Sequence, residues 1–161
     1  MYVPFNELAP SSKVWIYQSD RPFGELEKKQ IEEKLIAFAN RWAAHQKDLK
    51  ASVNIAHNQF VILAVDESQH AASGCSIDSS VHFMKDLEIE FGLNFFDRSK
   101  VPFLVNDGLE LMPMNELKEK IAQGQIKKDT PTFNNFVQSK GELEEKWLVN
   151  AENSWMSRYF A

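Results

Sequence analysis

The chain has 161 residues, of which 43% are hydrophobic, 12% are aromatic and 25% are charged, and its formal net charge at pH 7 is -5. This composition is typical of a folded protein, and a chain of this length fits one domain, which we expect to span residues 1–161. An acidic chain without clustered Lys and Arg lacks the positively charged surface that binds the phosphates of a nucleic acid. Nucleic acid is therefore not an expected partner.

Three features of the sequence predict the cellular location of the protein. The lone Cys75 cannot form an internal disulfide, and Met1–Glu7 lacks the basic and apolar regions of a signal peptide. The longest unbroken apolar run, Phe60–Val65, is much shorter than the roughly 20 residues that cross a bilayer. We therefore expect a cytoplasmic protein that has no membrane partner.

The first predicted elements are a strand, a helix and a hairpin. Val14–Tyr17 is apolar at every position, which predicts a strand covered on both faces. Apolar residues at helical intervals predict a helix over residues 25–49; they are Ile31, Leu35, Phe38 and Trp42. The alternating Ser52–Ile55 and the apolar Phe60–Val65 predict two strands that a turn at 56–59 joins.

A second helix and a second hairpin are predicted next. A helical stripe predicts a helix with Ser76 as its N-cap and its end near Gly92; the stripe is Ile77, Val81, Met84, Leu87 and Phe91. The strands Val101–Val105 and Leu109–Met112 flank the turn signal Asn-Asp-Gly. Pro102 has no N–H to donate, which predicts that the first of these strands lies at a sheet edge.

The C-terminal third of the chain predicts additions to this core. A third helix is expected over residues 115–123, and Thr130–Pro131 opens a further segment that carries Phe133. The last residues are rich in aromatic side chains, among them Trp155, Tyr159 and Phe160. We expect this end to dock on the body of the protein, because water contact would leave a large apolar patch.

The order strand, helix, strand, strand, helix, strand is that of the ferredoxin-like βαββαβ unit, which belongs to the α+β class. Its first and third strands are central, and the strands at 14–17 and 60–65 are the continuously apolar ones. The last strand of the second hairpin and the C-terminal helices would be additions to this βαββαβ core. In this arrangement we expect both helices to begin at one end of the sheet, which places the Cys75 loop beside the 19–24 turn.

The segment Ala71–Ser80 holds small hydroxyl residues, one glycine and Cys75 just before a predicted helix. Unpaired N–H groups and the helix dipole favour negative charge at such a position, so the segment predicts a bound anion or a reactive thiolate. The candidate ligand-binding residues are Asp20, Arg21, Ser73, Gly74, Ser76 and Asp78. The alternative is a buried Cys75 in a tight turn that only caps the helix.

Thiol chemistry at Cys75 needs a base within hydrogen-bond reach. His70 is the candidate base, because it lies in the same loop. His45 is placed at the far end of the first helix, roughly 30 Å from that helix's start, and His57 at the opposite end of the sheet. His82 is expected to be an exposed or boundary residue of the second helix.

The sequence contains no motif for a metal or a nucleotide. Cys-x-x-Cys, His-Glu-x-x-His and an acidic EF-hand loop are all missing, so no metal site is expected. The glycines, at 24, 74, 92, 108, 124 and 141, do not have the five-residue spacing of the Walker A pattern, and no Gly-Lys-Ser or Gly-Lys-Thr occurs. No cofactor is therefore expected.

Four segments of the chain resemble a family of short, uncharacterised bacterial proteins: Met1–Leu8, Val14–Gln18, Ala72–Asp78 and Asn153–Trp155. The resemblance spans nearly the whole chain. Members are often labelled as ABC transporter ATPases, a label that this sequence contradicts because it has no P-loop. The resemblance implies no mechanism.

These observations favour a protein that acts by binding, either a partner protein or a small anionic ligand, at the Cys75 loop. The alternative is a thiol-dependent enzyme or redox sensor in which Cys75 is the nucleophile and His70 is the base. Whether the protein is an enzyme does not follow from the sequence, and a homo-oligomer is compatible with it.

Overall fold

A computed structural model describes all 161 residues and confirms a mixed helix and sheet protein of the α+β class. The chain divides into two compact units. Unit 1 contains Met1–Phe96 and Gln138–Glu142, and unit 2 contains Asp97–Val137 and Leu143–Ala161. The single domain expected from the length stays a prediction. None of the helices combines the length and the apolar character that crossing a bilayer requires.

Unit 1 contains a three-stranded antiparallel sheet, a short two-stranded sheet and two long helices. The bounds are β1 Lys13–Gln18, α1 Glu25–Arg41, β2 Ala43–Ala44, β3 Lys47–Asp48, β4 Lys50–Ala56, β5 Phe60–Asp66 and α2 Gly74–Phe91. The strand order is β1-β5-β4, and both neighbours run antiparallel to β5. Every residue of β5 is buried, as its continuous apolar run predicts.

The core of unit 1 forms where both helices meet the sheet. The helical stripe predicted for α1 supplies four buried residues, and α2 supplies two, against alternate residues of β4 and β5. These residues are Ile31, Leu35, Phe38, Trp42, Met84, Leu87, Ala51, Val53, Val61, Leu63 and Val65. One apolar layer therefore fixes both helices on the same face of the sheet.

The boundaries of both helices differ from the predicted ones. Helix α1 ends at Arg41 rather than at residue 49, because Trp42 adopts an extended conformation and residues 43–48 form the β2–β3 hairpin. The N-cap of α2 is Ser73 rather than Ser76, so the helix begins three residues earlier. Its predicted end is confirmed at Gly92, which has the left-handed conformation that glycine accepts without a Cβ clash.

Unit 2 contains a four-stranded antiparallel sheet of order β7-β6-β8-β9. The bounds are β6 Lys100–Val105, β7 Gly108–Pro113, α3 Leu117–Ala122, β8 Pro131–Phe133 and β9 Leu148–Asn150. Helix α4, Lys140–Lys146, precedes β9; its residues 140–142 belong to unit 1 and the rest to unit 2. The predicted β6–β7 hairpin is confirmed, with Asn106 and Asp107 at positive φ in its turn. A 3₁₀ turn at Met114–Glu116 replaces the start of the third predicted helix.

The ferredoxin-like core is not completed. Its first three strands have the expected order, β1-β5-β4. The fourth strand, β6, does not pair with β1 and belongs instead to the four-stranded sheet of unit 2. Strand β6 pairs along its whole length with β7, the strand that follows it after two residues. At the outer edge of β1, the N–H of Val14 donates instead to the carbonyl of Gln138 at 3.1 Å.

The prediction that Pro102 confines β6 to a sheet edge is wrong. Strand β6 is an interior strand between β7 and β8. The carbonyl of Pro102 accepts a hydrogen bond from the hydroxyl of Thr132 on β8 at 2.8 Å. Because N–H and C=O of one strand residue point to the same side, the missing N–H faces β8, where the ladder contains only the pair Phe103 and Thr132.

The aromatic C-terminal end packs within unit 2, as predicted. Met156 is fully buried, and Tyr159 and Phe160 pack against the same core, which includes Phe103 and Leu117. Trp155 remains partly exposed. The last turn therefore contributes to the core of its own unit.

Replacing Ser52 by Ala is expected to stabilise the protein by about 1 kcal/mol. The Ser52 hydroxyl is fully buried on β4 and has no hydrogen-bond partner, so removing it relieves a desolvation cost. Urea unfolding monitored by fluorescence measures the difference. The matched control is Thr132→Val, which deletes a bonded buried hydroxyl and should destabilise by about 1 kcal/mol. Equal losses for both variants would contradict the expectation.

Candidate functional site

The first turn of α2 is closed by a reciprocal pair of serines. The Ser73 hydroxyl accepts from the Ser76 N–H at 3.2 Å, and the Ser76 hydroxyl accepts from the Ser73 N–H at 2.7 Å. The Ile77 N–H donates to the Ser73 carbonyl at 2.9 Å. Ser76 is 2% exposed and its hydroxyl also donates to the Ser73 carbonyl, so it is committed to the cap.

The N–H groups of Gly74 and Cys75 remain without a partner in the chain. The side chain of Cys75 is exposed, and a Cβ placed on Gly74 would meet no atom within 4 Å. The expectation of a buried Cys75 is therefore wrong, although the helix cap of that alternative is present in Ser73 and Ser76. An accessible thiol and two unpaired donors lie together at the positive end of an 18-residue helix.

The loop between β5 and α2 is held at its base by acidic side chains. The Glu67 carboxylate accepts from the Ala72 N–H at 2.8 Å, and the Asp66 carboxylate accepts from the Ser68 N–H at 3.0 Å. Hydrogen bonds from the backbone and the side chain of Ser68 lower the pKa of the Asp66 carboxyl below its usual value, and the charge of Lys50 contributes a smaller effect in the same direction. The two carboxylates therefore shape the backbone of the loop.

Asp20 and Arg21 do not join this site. Strands β1 and β5 are antiparallel, so the end of β1 pairs with the start of β5, whereas α2 begins after the end of β5. The expectation that both helices begin at one end of the sheet is therefore wrong. The seven residues of β5 separate the two ends by about 20 Å.

The 19–24 turn meets the C-terminal end of α2 instead. The Asp20 carboxylate accepts from the Asn94 N–H at 2.8 Å, and the Arg21 guanidinium donates to the Phe91 carbonyl at 2.8 Å. Arg21 also donates to both carboxylate oxygens of Glu27, at 2.8 and 3.0 Å. This hydrogen bonding raises the pKa of Arg21 and lowers the pKa of Glu27. Both predicted ligand residues therefore act as supports of the fold.

Of the four histidines, only His45 lies away from its predicted position. His70 is half-buried in the loop before α2, as expected, but no hydrogen bond joins it to Cys75. His57 lies in the β4–β5 turn, at the end of the sheet opposite Cys75, and His82 is exposed on α2. His45, expected at the far end, lies in the turn of the β2–β3 hairpin, and β2 contacts α2.

Trp42 links that hairpin to the first turn of α2. Its indole N–H donates to the Ser76 carbonyl at 2.8 Å within the core. Sequence reasoning placed Trp42 only in the apolar stripe of α1 and missed this bond. The indole N–H is itself the available signal, because a buried Trp donor requires an acceptor. Trp42 therefore brings the end of α1 to the same end of the sheet as Cys75.

The remaining predicted residues stay near the loop. Asp78 is exposed on the second turn of α2, and Ser73 and Gly74 flank Cys75 at the helix start. No group of three or more His, Cys, Asp or Glu side chains is arranged to hold a metal ion. No family model, curated protein or solved structure matches the chain. The resemblance to the bacterial family stays a prediction.

Replacing Arg21 by Gln is expected to lower the free energy of unfolding by about 1 kcal/mol at pH 7, a modest loss because the Arg21 side chain is 41% exposed. The lowered pKa of Glu27 means that the ion pair stabilises the fold above the unfolded pKa of about 4.3, and that this stabilisation is lost as the pH falls through the folded pKa. The difference between wild type and variant should therefore shrink below about pH 4.

Urea unfolding at pH 7, 4 and 3 measures this dependence. Lys29→Gln, an exposed position on the same helix, is the control and should show no such trend. The difference in the free energy of unfolding that remains at low pH measures the contribution of the hydrogen bond from Arg21 to the Phe91 carbonyl. A difference that grows as the pH falls would contradict the assignment.

Proposed function

We propose that this protein acts by binding a small anionic group, free or carried by a partner protein, at the Cys75 loop. The observation that carries the proposal is the pair of unpaired N–H groups of Gly74 and Cys75 at the open start of α2. An anion oxygen that approaches Gly74 meets no side chain, and the helix dipole favours its charge.

The proposed ligand contacts are the backbone donors of Gly74 and Cys75, with Ser73 beside them. Ser76 positions the turn through its cap and does not touch the ligand. The Asp78 carboxylate and the absence of Arg21 from this end of the sheet keep the site from being strongly cationic. Binding should therefore be weak and should discriminate by shape at the turn more than by total charge.

Inorganic phosphate is the probe that tests this function. Titration followed by ¹⁵N NMR should move the amide signals of Gly74 and Cys75 along a saturable curve, with a Kd on the order of millimolar. Cys75→Ser should keep this response, since the backbone donors remain. Gly108, the first residue of β7 in unit 2, is the reference amide.

Two outcomes would contradict anion binding at this turn. One is a linear shift of Gly74 and Cys75 no larger than that of Gly108, which would report ionic strength alone. The other is a complete loss of the response in Cys75→Ser while the fold is intact, which would move the interaction from the backbone to the thiol.

A second candidate function is thiol chemistry at Cys75. The supporting observation is the exposure of the Cys75 side chain at the second residue of α2. In this function His70 takes the thiol proton, and the thiolate attacks one oxygen of a peroxide. The S–O bond of a sulfenic acid forms as the O–O bond breaks, and the departing hydroxide or alkoxide takes the proton from His70; the peroxide is the oxidant. Movement of the loop that carries His70 would be needed to bring the two side chains within hydrogen-bond reach.

Iodoacetamide alkylation of Cys75 separates the two functions. Thiol chemistry predicts that Cys75 in the folded protein reacts at least about tenfold faster than Cys75 in the urea-unfolded chain, because a base assists the thiol only in the folded protein. His70→Ala should then slow the reaction, and His82→Ala is the control at an exposed helix position. Equal rates in the folded and unfolded chains would exclude this second candidate.

A further inference from the structure

The outer edge of β4 contains backbone groups that no other part of the chain pairs. The N–H of Ala51 donates to the Met1 carbonyl at 3.0 Å, and the Ala51 carbonyl accepts from the Val3 N–H at 2.9 Å. Because N–H and C=O groups alternate in direction along a strand, those of Val53 and Ile55 also point outward. No hydrogen bond within the chain reaches either residue on that side.

The pairing with the N-terminal segment stops where that segment leaves the strand conformation. Tyr2 forms a parallel bridge with Ala51, and the strand would continue next to Val53. Because the N–H of Val3 donates toward β4, the next N–H to face β4 would be that of Phe5, which lies instead in the 3₁₀ helix Phe5–Glu7. The outward backbone groups of Val53 and Ile55 therefore have no partner in the chain.

A cavity of about 140 Å³ lies against this open edge. We call it the β4 slot; its walls are Tyr2 of the N-terminal segment, Val53, Asn54 and Ile55 of β4, and Lys28, Glu32 and Leu35 of α1. The volume equals that of roughly four or five water molecules at about 30 Å³ each, so the slot has room for one small side chain while the rest of a peptide would lie along the open edge.

Val53 is 7% exposed because its side chain lies in the core of unit 1, but its outward N–H and C=O have no partner in the chain. A peptide in the slot would bond to these groups in place of water. Leu35 is fully buried and closes the slot on the core side. The slot thus offers the backbone donors and acceptors that a strand-like ligand uses.

We propose that the β4 slot binds an extended, uncharged peptide segment of a partner protein, which adds to the sheet as a short strand beside Val53 and Ile55. The segment continues the line of pairing that Met1–Val3 begins at Ala51. Lys28 and Glu32 have opposite charges one helical turn apart, so they favour no net charge on the occupant.

The recessed edge also selects a single peptide strand over a second copy of this chain. Helix α1 covers one side of the slot and Tyr2 covers the other. A strand that already belongs to a folded sheet would bring its own neighbours and covering helices against these walls. A free extended segment enters without that clash. The site is separate from the Cys75 loop and does not depend on the function proposed there.

The probe is a pool of capped tetrapeptides, Ac-X-Val-X-Val-NH₂, in which X is Ala, Ser or Thr. In the free protein the amides of Val53 and Ile55 should exchange with deuterium much faster than those of Ser52 and Asn54, which face β5. Addition of the pool at millimolar concentration should slow exchange at Val53 at least about tenfold and leave Ser52 unchanged. The effect should depend little on salt.

Two variants test the location. Glu32→Trp fills the slot from an exposed helix position, and Glu33→Trp is its matched control on the neighbouring face of α1. Val53→Pro removes the outward N–H and no bond to β5, but it also loses the buried Val53 side chain. Val53→Ala loses the same core contacts and keeps the N–H, so it is the control: it should keep peptide binding, whereas Val53→Pro should lose it. Glu32→Trp and Val53→Pro should abolish the protection at Ile55, and Glu33→Trp should not.

The proposal is overturned if the Val53 amide exchanges as slowly as Ser52 in the free protein, or if the peptide pool leaves Val53 and Ile55 unchanged. It is also overturned if protection appears without peptide, rises with protein concentration and accompanies a doubled mass in light scattering. That last result would assign the edge to a second copy of the chain.

Discussion

The antiparallel pairing of β1 with β5 is the constraint on which the arrangement of unit 1 depends. It places the end of β1 beside the start of β5, so the helices that follow these strands begin at opposite ends of the sheet. Because α1 and α2 share one apolar layer, they then run in opposite directions across it. The N-terminus of α2 must meet the C-terminus of α1, and the bond from Trp42 to the Ser76 carbonyl is the result.

The elements of the chain were predictable where hydrophobic periodicity was strong. The buried strand β5, the stripe of α1, the helix end at Gly92 and the β6–β7 hairpin follow from side-chain pattern and turn chemistry. The partner of each strand did not follow. Periodicity tells which face of a strand is buried, but pairing depends on which edge another segment reaches first, and β7 follows β6 after two residues.

In the candidate site, too, local features were predictable from the sequence and the neighbours in space were not. The local features of the Cys75 loop, a helix start with an accessible thiol, were present in the sequence. Its neighbours were not, because they depend on strand direction. Asp20 and Arg21 were predicted to lie beside the start of α2. In the structure Arg21 bonds to the last turn of α2 and to Glu27 in the first turn of α1, and Asp20 accepts from Asn94 just after α2. His45 was assigned away from the end at which the structure places it.

The β2–β3 hairpin explains why His45 was misplaced. Its turn residues, His45 and Gln46, both have positive φ, although neither is the Asn, Asp or Gly that usually occupies such a turn. Each costs about 1 to 2 kcal/mol of backbone strain, and two-residue strands cannot offset that cost alone. The Trp42 indole bond and the bond from the Leu49 N–H to the Trp42 carbonyl hold the hairpin against the core. Tertiary packing therefore ends α1 at Arg41 without any glycine or proline, and no local signal in residues 42–49 could have predicted it.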